Sequence, residues 1–303
     1  MRKFTKIPYL SVVSVFLMFV SCKQVDSNKE TILKGTTTIL VDETLKPLFE
    51  DQIAVFQSDY KAKIVLDAKS EKEVSKSFLQ DTSRIVVLSR KLNVDENKYF
   101  DHLNIIPKTT KIAIDAIALI RNKSNKDTLI ALQDIIYFLQ GHQQNAVKGL
   151  VFDNPNSSTV RYMSELANLE SLPVENVYSF STNEEVVKFV SENDGMIGVV
   201  GVNWLSQPTS EMKKYMINIS VLNVKGQGKD DYFAPTQNNL AEGTYPLARD
   251  LYIINCQGYS GLGMGFSSFV AGDKGQRIIL KSGLLPVRMP SRKVTIESNS
   301  ESE

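Results

Sequence analysis

Three short stretches of this chain set hydroxyl, carboxylate and guanidinium groups close together in sequence. They are Asp42-Glu43-Thr44, Ser89-Arg90, and Asn156-Ser157-Ser158-Thr159 with Arg161 just beyond. Each follows an apolar β-branched run and two of them precede a helical pattern, so each is expected at the carboxyl end of a strand, where open α/β sheets collect ligands. A helix N-terminus offers unpaired N–H groups and a partial positive charge to an anion. Ser and Thr hydroxyls add neutral donors there, and an Arg adds a planar charged fork. The chemistry these residue types suggest is oxyanion binding. Every one of them also has a plain structural use: Asp42, Ser157, Ser158 and Thr159 as helix N-caps, Arg90 and Arg161 as surface ion pairs.

Nucleophilic catalysis is the competing reading, with Ser157 or Ser158 as the attacking hydroxyl. It lacks a base, because His102 and His142 stand in polar, loop-like surroundings and no G-x-S-x-G turn exists. Two Cys and two His are too few for a zinc site built from those types. The run Gly261-Leu262-Gly263-Met264-Gly265 resembles a dinucleotide loop, but Phe266 occupies the third glycine's place, so it is expected to be a flexible turn. No cofactor is expected.

The elements that must position these residues follow from hydrophobic period. Thr36–Val41, Lys63–Leu66 and Arg84–Leu88 are short β-branched runs, and Leu45–Phe56 and Ser70–Leu79 carry helical spacing. Strand–helix–strand–helix–strand over so short a span implies a parallel sheet with right-handed crossovers. Ile105–Ile120 predicts a strand pair, Leu129–Leu139 and Val160–Leu169 helices, Leu150–Phe152 a strand, and Val177–Phe180, Asn183–Ser191 and Met196–Val202 a second βαβ unit. Tyr252–Asn255 is strand-like and Phe266–Leu280 helical, while Trp204–Asp231 is mixed. Two α/β lobes are expected, meeting near residue 120.

The start of the chain predicts export. Arg2, Lys3 and Lys6 precede an apolar run that ends in Phe19-Val20-Ser21-Cys22, and the polar stretch that follows leaves the run too short to span a bilayer. The last four residues resemble a lipobox, which implies lipidation at Cys22 and a signal peptide over 1–21, with 22–34 as a tether. Over all 303 residues, 35 Lys+Arg against 34 Asp+Glu leave no bulk charge to favour nucleic acid. Removing 1–21 would take three basic and no acidic residues, for a formal charge of −2. Cys256 would then be the one internal thiol, so a packed core rather than a disulfide must stabilise the protein.

Six segments taken in order resemble the phosphate-binding proteins of bacterial ABC importers: Thr38–Leu48 (TILVDETLKPL), Leu88–Leu92 (LSRKL), Asn156–Tyr162 (NSSTVRY), Gly195–Gly201 (GMIGVVG), Tyr245–Ile253 (YPLARDLYI) and Phe269–Pro286 (FVAGDKGQRIILKSGLLP). The resemblance covers about residues 36–290. It implies a two-lobed periplasmic-binding-protein (type II) fold, α/β, each lobe a mostly parallel sheet flanked by helices. Residues 35–120 plus 245–292 would form lobe 1 and 121–244 lobe 2, with crossovers near Leu119–Asn122 and Pro235–Tyr245 and a frayed tail at 293–303. Tyr245-Pro246 and Arg249 are expected to fix the second crossover. Two loops depart from the family pattern: Val41–Thr44 is less rich in Gly, Ser and Thr, and Arg161 is displaced by one position.

The resemblance implies a lipid-anchored, monomeric binding protein of the periplasm or cell envelope, not an enzyme. It would close on phosphate, or a similar oxyanion, and deliver it to an inner-membrane ABC permease. Asp42, Glu43, Thr44, Ser89, Arg90, Ser157, Ser158, Thr159 and Arg161 would line the site, the two arginines supplying charge. Asp42 could accept the proton that phosphate keeps and sulfate lacks, or serve only as a cap. A sensory protein of the same fold and, more remotely, an exported serine hydrolase are the alternatives.

Overall fold

The computed structural model describes residues 30–80 and 85–290. The expected signal peptide, Cys22 and the tail from 293 lie outside the described residues. In chain order the first half comprises β1 (Gly35–Asp42), α1 (Lys46–Asp59), β2 (Ala62–Lys69), α2 (Glu71–Gln80), β3 (Ile85–Leu88), α3 (Val94–His102), β4 (Lys108–Asn122), β5 (Leu129–Ala131), α4 (Leu132–Leu139), β6 (Gly149–Phe152) and α5 (Ser158–Leu166). There follow β7 (Val177–Ser179), α6 (Asn183–Glu192), β8 (Met196–Gly201), α7 (Val202–Ser206), α8 (Met212–Met216), β9 (Ile219–Val221), β10 (Asn223–Lys225), β11 (Tyr232–Phe233), α9 (Gln237–Ala241), β12 (Ala248–Asn255), α10 (Leu262–Ala271), α11 (Asp273–Lys281) and β13 (Leu285–Pro286).

The main sheet runs β2-β1-β3-β12-β4-β8-β6-β7, with β9 and β13 also paired to β4. The pairs β1–β2 and β1–β3 are parallel, as are β6–β7 and β6–β8. β12 and β4 are the antiparallel strands between them. β4 belongs to both halves. Its residues up to Ala116 pair with β12, and from Ile117 on they pair with β8. One strand of 15 residues thus replaces the expected strand pair, because no Gly or Pro interrupts KTTKIAIDAIALIRN to make a hairpin. The change of partner precedes the Leu119–Asn122 position implied by the family resemblance. The return crossing is tied to it: Ile117 N–H donates to Leu247 O at 3.0 Å and the Tyr245 hydroxyl to Ile117 O at 2.6 Å.

Each half has its own core. In lobe 1 the period of two is clean: Ile39 and Val41 pack with Phe49, Phe56 and Phe266 on one face, and Leu40 with Phe78 and Phe100 on the other. In lobe 2, Ile117, Leu119, Leu150, Phe152 and Val199 pack with Ile135, Met163 and Val187. The predicted helix Phe266–Leu280 is two helices, α10 beginning already at Leu262 and α11 following a break at Gly272. At that break Gly275 sits against the Val270 backbone, where an added Cβ would lie 2.5 Å from Val270 Cα. Gln276 then donates to Ile112 O and Val270 O at 3.0 and 2.9 Å. The Lys-Gly-Gln motif is therefore a packing device far in sequence from the crevice loops.

Glu30–Lys34, the end of the expected tether, packs on the body. Glu30 accepts the Leu262 N–H at 2.6 Å, and Gly265 leaves room for the Ile32 carbonyl. Among the described residues no helix is long and apolar enough to cross a membrane.

Candidate functional site

β1 ends at Asp42, and a single 3-10 turn, Glu43–Leu45, leads into α1. The buried Asp42 carboxylate accepts the Thr44 N–H at 3.2 Å and the Thr44 hydroxyl at 2.9 Å, so it does cap this turn. Two donors from α7 clamp the Thr44 carbonyl, Asn203 Nδ2 at 3.0 Å and Trp204 Nε1 at 2.9 Å. Across the crevice β6 ends at Phe152 and Asp153 follows. Ser157 donates to Asp153 Oδ1 at 2.6 Å and accepts the Val160 N–H at 3.3 Å, so α5 begins two residues earlier than the expected Val160.

Ser158, the first residue of α5, brings the two sides together. Its Oγ lies 3.2 Å from Thr44 Oγ1. The buried Arg249 of β12 donates from Nη1 to Ser158 Oγ at 2.9 Å and from Nη2 to Thr44 Oγ1 at 3.5 Å, while its Nε meets Asp115 Oδ2 at 2.8 Å. The two hydroxyls are within hydrogen-bond distance and either can donate to the other; Asp42 is within reach of the Ser158 hydroxyl as well as that of Thr44. Arg249, Ser158, Thr44 and Asp42 thus form one connected chain of hydrogen-bonding groups. Among the described residues each Arg249 Nη meets one acceptor, so each keeps a second N–H.

Arg90 and Arg161 are placed differently. Both close on Glu71 of α2, which is 3% exposed. Arg90 Nε reaches Glu71 at 2.8 Å, and its remaining N–H groups go to Glu96 (2.7 and 3.0 Å), Ser75 and Lys91 O. Arg161 donates to Glu71 at 2.7 and 3.2 Å, to Glu165 at 2.9 and 2.8 Å, and to Ser89 Oγ at 3.1 Å. All five donors of each fork are used by protein groups. Since Arg161 is on α5 and Glu71 on α2, this network joins the lobes, as does the Lys72 N–H to Asn156 O bond at 3.2 Å. A groove of about 910 Å³ opens beside it, lined by Glu71, Arg90, Ser157, Arg161 and Leu172 but not by Thr44, Ser158 or Arg249.

The crevice is acidic. Burial raises the Asp42 pKa and Glu71 adds to it, against Arg249, Ser158 and Thr44. Asp153 is pushed up to about 7, by burial first; Ser157 and Arg249 oppose the rise, and Asp42 and Glu43 reinforce it. Glu43 is likewise pushed up to about 7 by burial, Asp42 and Glu73, against Asn154. Glu43 Oε1, Asp115 Oδ1, Thr159 Oγ1 and Asn203 Oδ1 are buried with no hydrogen-bond partner among the described residues. Buried polar atoms in native proteins are nearly always paired, so these four are exceptions. Among the described residues no group of three or more His, Cys, Asp or Glu could hold a metal ion.

A family described as a PBP superfamily domain matches residues 27–274. The chain belongs to the PBP superfamily. Solved structures similar to this PBP-superfamily protein include one from Clostridium perfringens assigned as a phosphate ABC transporter substrate-binding protein, with bound phosphate. It is 20% identical, has a TM-score of 0.67 and covers 84% of this chain and 100% of its own. An ABC-type phosphate transport receptor from Vibrio cholerae is 15% identical with a TM-score of 0.63, covering 83% and 100%. PstS from Borrelia burgdorferi is 18% identical with a TM-score of 0.54, covering 84% and 99%. No curated protein matches. At these identities the likeness establishes the fold.

In this PBP-superfamily fold Thr44 and Ser158 meet directly, with Asp42 one bond away. Ser157 and Thr159 flank them, the Thr159 hydroxyl oxygen being buried with no partner among the described residues. Ser89, Arg90 and Arg161 gather instead at Glu71. Arg249, expected at the crossover, instead reaches both hydroxyls, and Asp115, Asp153 and Glu71 are site residues outside the three polar loops. A signal existed for the first pair: Asp115 is a lone acid inside the apolar alternation of β4, and Arg249 is its cross-strand partner. His102 and His142 are exposed.

Proposed function

We infer that this protein is a solute-binding protein that captures inorganic phosphate between its lobes and hands it to an ABC permease. The observation that carries the reading is the Arg249–Ser158–Thr44–Asp42 chain, in which each lobe contributes a hydroxyl and one end is a guanidinium with N–H groups to spare. Arg249, although paired with Asp115, supplies charged N–H donors, Thr44, Ser158, Ser157 and Thr159 supply neutral donors, and Asp42 accepts a proton the ligand still carries. Arg90 and Arg161 act through Glu71, shaping the mouth of the crevice.

Two hydroxyls that share a tetrahedral anion stand roughly 5 Å apart, about two hydrogen-bond lengths, whereas Thr44 and Ser158 touch at 3.2 Å. Entry therefore needs the lobes to part, by rotation about the β4 and Tyr245–Leu247 crossings. The protein would be held at the cell envelope by lipid on Cys22, and the tether would end where Glu30 meets α10.

Calorimetric titration tests the reading. Phosphate should bind at micromolar concentration or below and sulfate much more weakly. Failure of every tetrahedral oxyanion to bind below millimolar ends it. Incorporation of labelled palmitate, lost in Cys22→Ser, tests the anchor.

A further inference from the structure

The charge of the crevice does not suit a fully ionised anion. The guanidinium that reaches Thr44 and Ser158 is already neutralised by Asp115 at 2.8 Å. Around it stand Asp42 and Asp153, 0% and 1% exposed, with half-buried Glu43 beside them. Asp42 is held by Thr44 donors, and Asp153 by the Ser157 hydroxyl at 2.6 Å and the Asn183 amide at 3.1 Å. These are neutral donors. A dianion entering here meets buried carboxylates, and the guanidinium that reaches Thr44 and Ser158 is already paired with Asp115, an arrangement that costs heavily in a low-dielectric site.

Asn183 supplies a second, separate observation. Its Nδ2 points at Asp153 Oδ2, while its Oδ1 is buried without a partner among the described residues. Turned over, the amide would set its carbonyl against Asp153, where only a protonated carboxyl could donate to it. As it stands the amide donates to Asp153, so protonation of Asp153 goes with a turn of the Asn183 amide.

We propose that ligand capture here is proton-coupled: Asp153 and Glu43 take protons from solvent as the oxyanion enters, and the crevice favours the ligand form of lowest negative charge. This rests on the oxyanion-capture reading above. The groups facing Asp153 are Asp42 and Glu43 from the β1 end, Arg249 from β12, Ser157 from its own loop and Asn183 from α6. Those facing Glu43 are Asp42, Glu73 of α2 and Asn154. Both carboxyls are raised to about 7 by burial and their acidic neighbours. They are therefore mostly ionised at pH 8, and an arriving anion raises them further.

Phosphate titrations at pH 8 in buffers of different ionisation enthalpy count the protons taken up. Asp153→Asn and Glu43→Gln should each reduce the count by up to about one, the phosphate's own proton cancelling in the comparison with wild type. Each variant should bind phosphate at pH 8 as tightly as wild type or up to about tenfold more tightly, the difference vanishing near pH 6. Glu43 is half-buried, so Glu43→Gln provides the test even if Asp153→Asn does not fold. Proton counts unchanged in the variants, with phosphate still bound, overturn the proposal and leave the capture reading standing. A wild-type protein that binds no phosphate between pH 6 and 8 overturns both.

Discussion

Ser158 Oγ and Thr44 Oγ1 lie 3.2 Å apart although 114 positions separate them in the chain. The contact exists because two unrelated loop geometries converge. A 3-10 turn capped by Asp42 holds Thr44 at the end of β1, and Ser157, capped on Asp153, starts α5 so that its first residue faces across. Arg249 touches both hydroxyls from the strand that lies between the lobes.

Arg249→Gln should weaken phosphate binding by about a hundredfold or more, since it removes a charge-assisted fork. It also leaves Asp115 buried and unpaired, at a cost of about 3–5 kcal/mol. Adding Asp115→Asn should restore most of the melting temperature but not the affinity. Calorimetry and thermal unfolding on the single and double variants separate the two effects.

Arg161→Gln should cost less than about tenfold in phosphate affinity, because every donor of that guanidinium is already spent on Glu71, Glu165 and Ser89. A loss as large as that of Arg249→Gln would show that Arg161 is a direct ligand contact and that the assignment of Arg249 as anchor is wrong.

Trp204, the chain's single tryptophan, donates across the lobes to Thr44 O at 2.9 Å. Its emission should shift when phosphate is titrated in, saturating at the concentration that saturates calorimetry. In Trp204→Phe the signal should vanish while binding persists, and a flat emission trace in the wild type would argue against lobe movement at this contact.

Stability should fall with rising pH through the Asp153 titration. A folded-state pKa raised from 3.8 to about 7 means that the folded protein holds a proton the unfolded chain releases. That contribution is complete below about pH 4 and is lost as pH rises to 7. The melting temperature of the wild type relative to Asp153→Asn should therefore decline from pH 5 to pH 8. A constant difference would show that the carboxyl is not raised.

Gly265→Ala would put a methyl carbon 1.7 Å from the Ile32 carbonyl oxygen. The segment Glu30–Lys34 must then leave α10, at about 1–3 kcal/mol. Limited proteolysis should cut the variant near residue 30 faster than the wild type, with the rest of the domain intact.

Much of the architecture was legible in residue order because hydrophobic period reports local burial. The β-branched runs Thr36–Val41 and Met196–Val202 and the helical spacing of Leu45–Phe56 each correspond to an element. What failed were the places where a long-range partner decides. Ile105–Ile120 is expected as a strand pair, but its uninterrupted run forms the one strand β4, which β12 and β8 pair with in turn. Phe266–Leu280 reads as one helix, and breaks because Gly275 must approach the Val270 backbone.

From the amino-acid order alone come the lobes' alternating elements, the three polar loops at strand ends and the family likeness, all of which depend on neighbours close in the chain. Which arginine faces the hydroxyls was a tertiary matter. Arg90, Arg161 and Arg249 are chemically alike, and their roles follow from which carboxylates the fold pairs with them: Glu71, Glu96 and Glu165 for the first two, Asp115 for the third. Electrostatic assignment depends on distances across the sheet and on burial, and these exist only once the chain has folded.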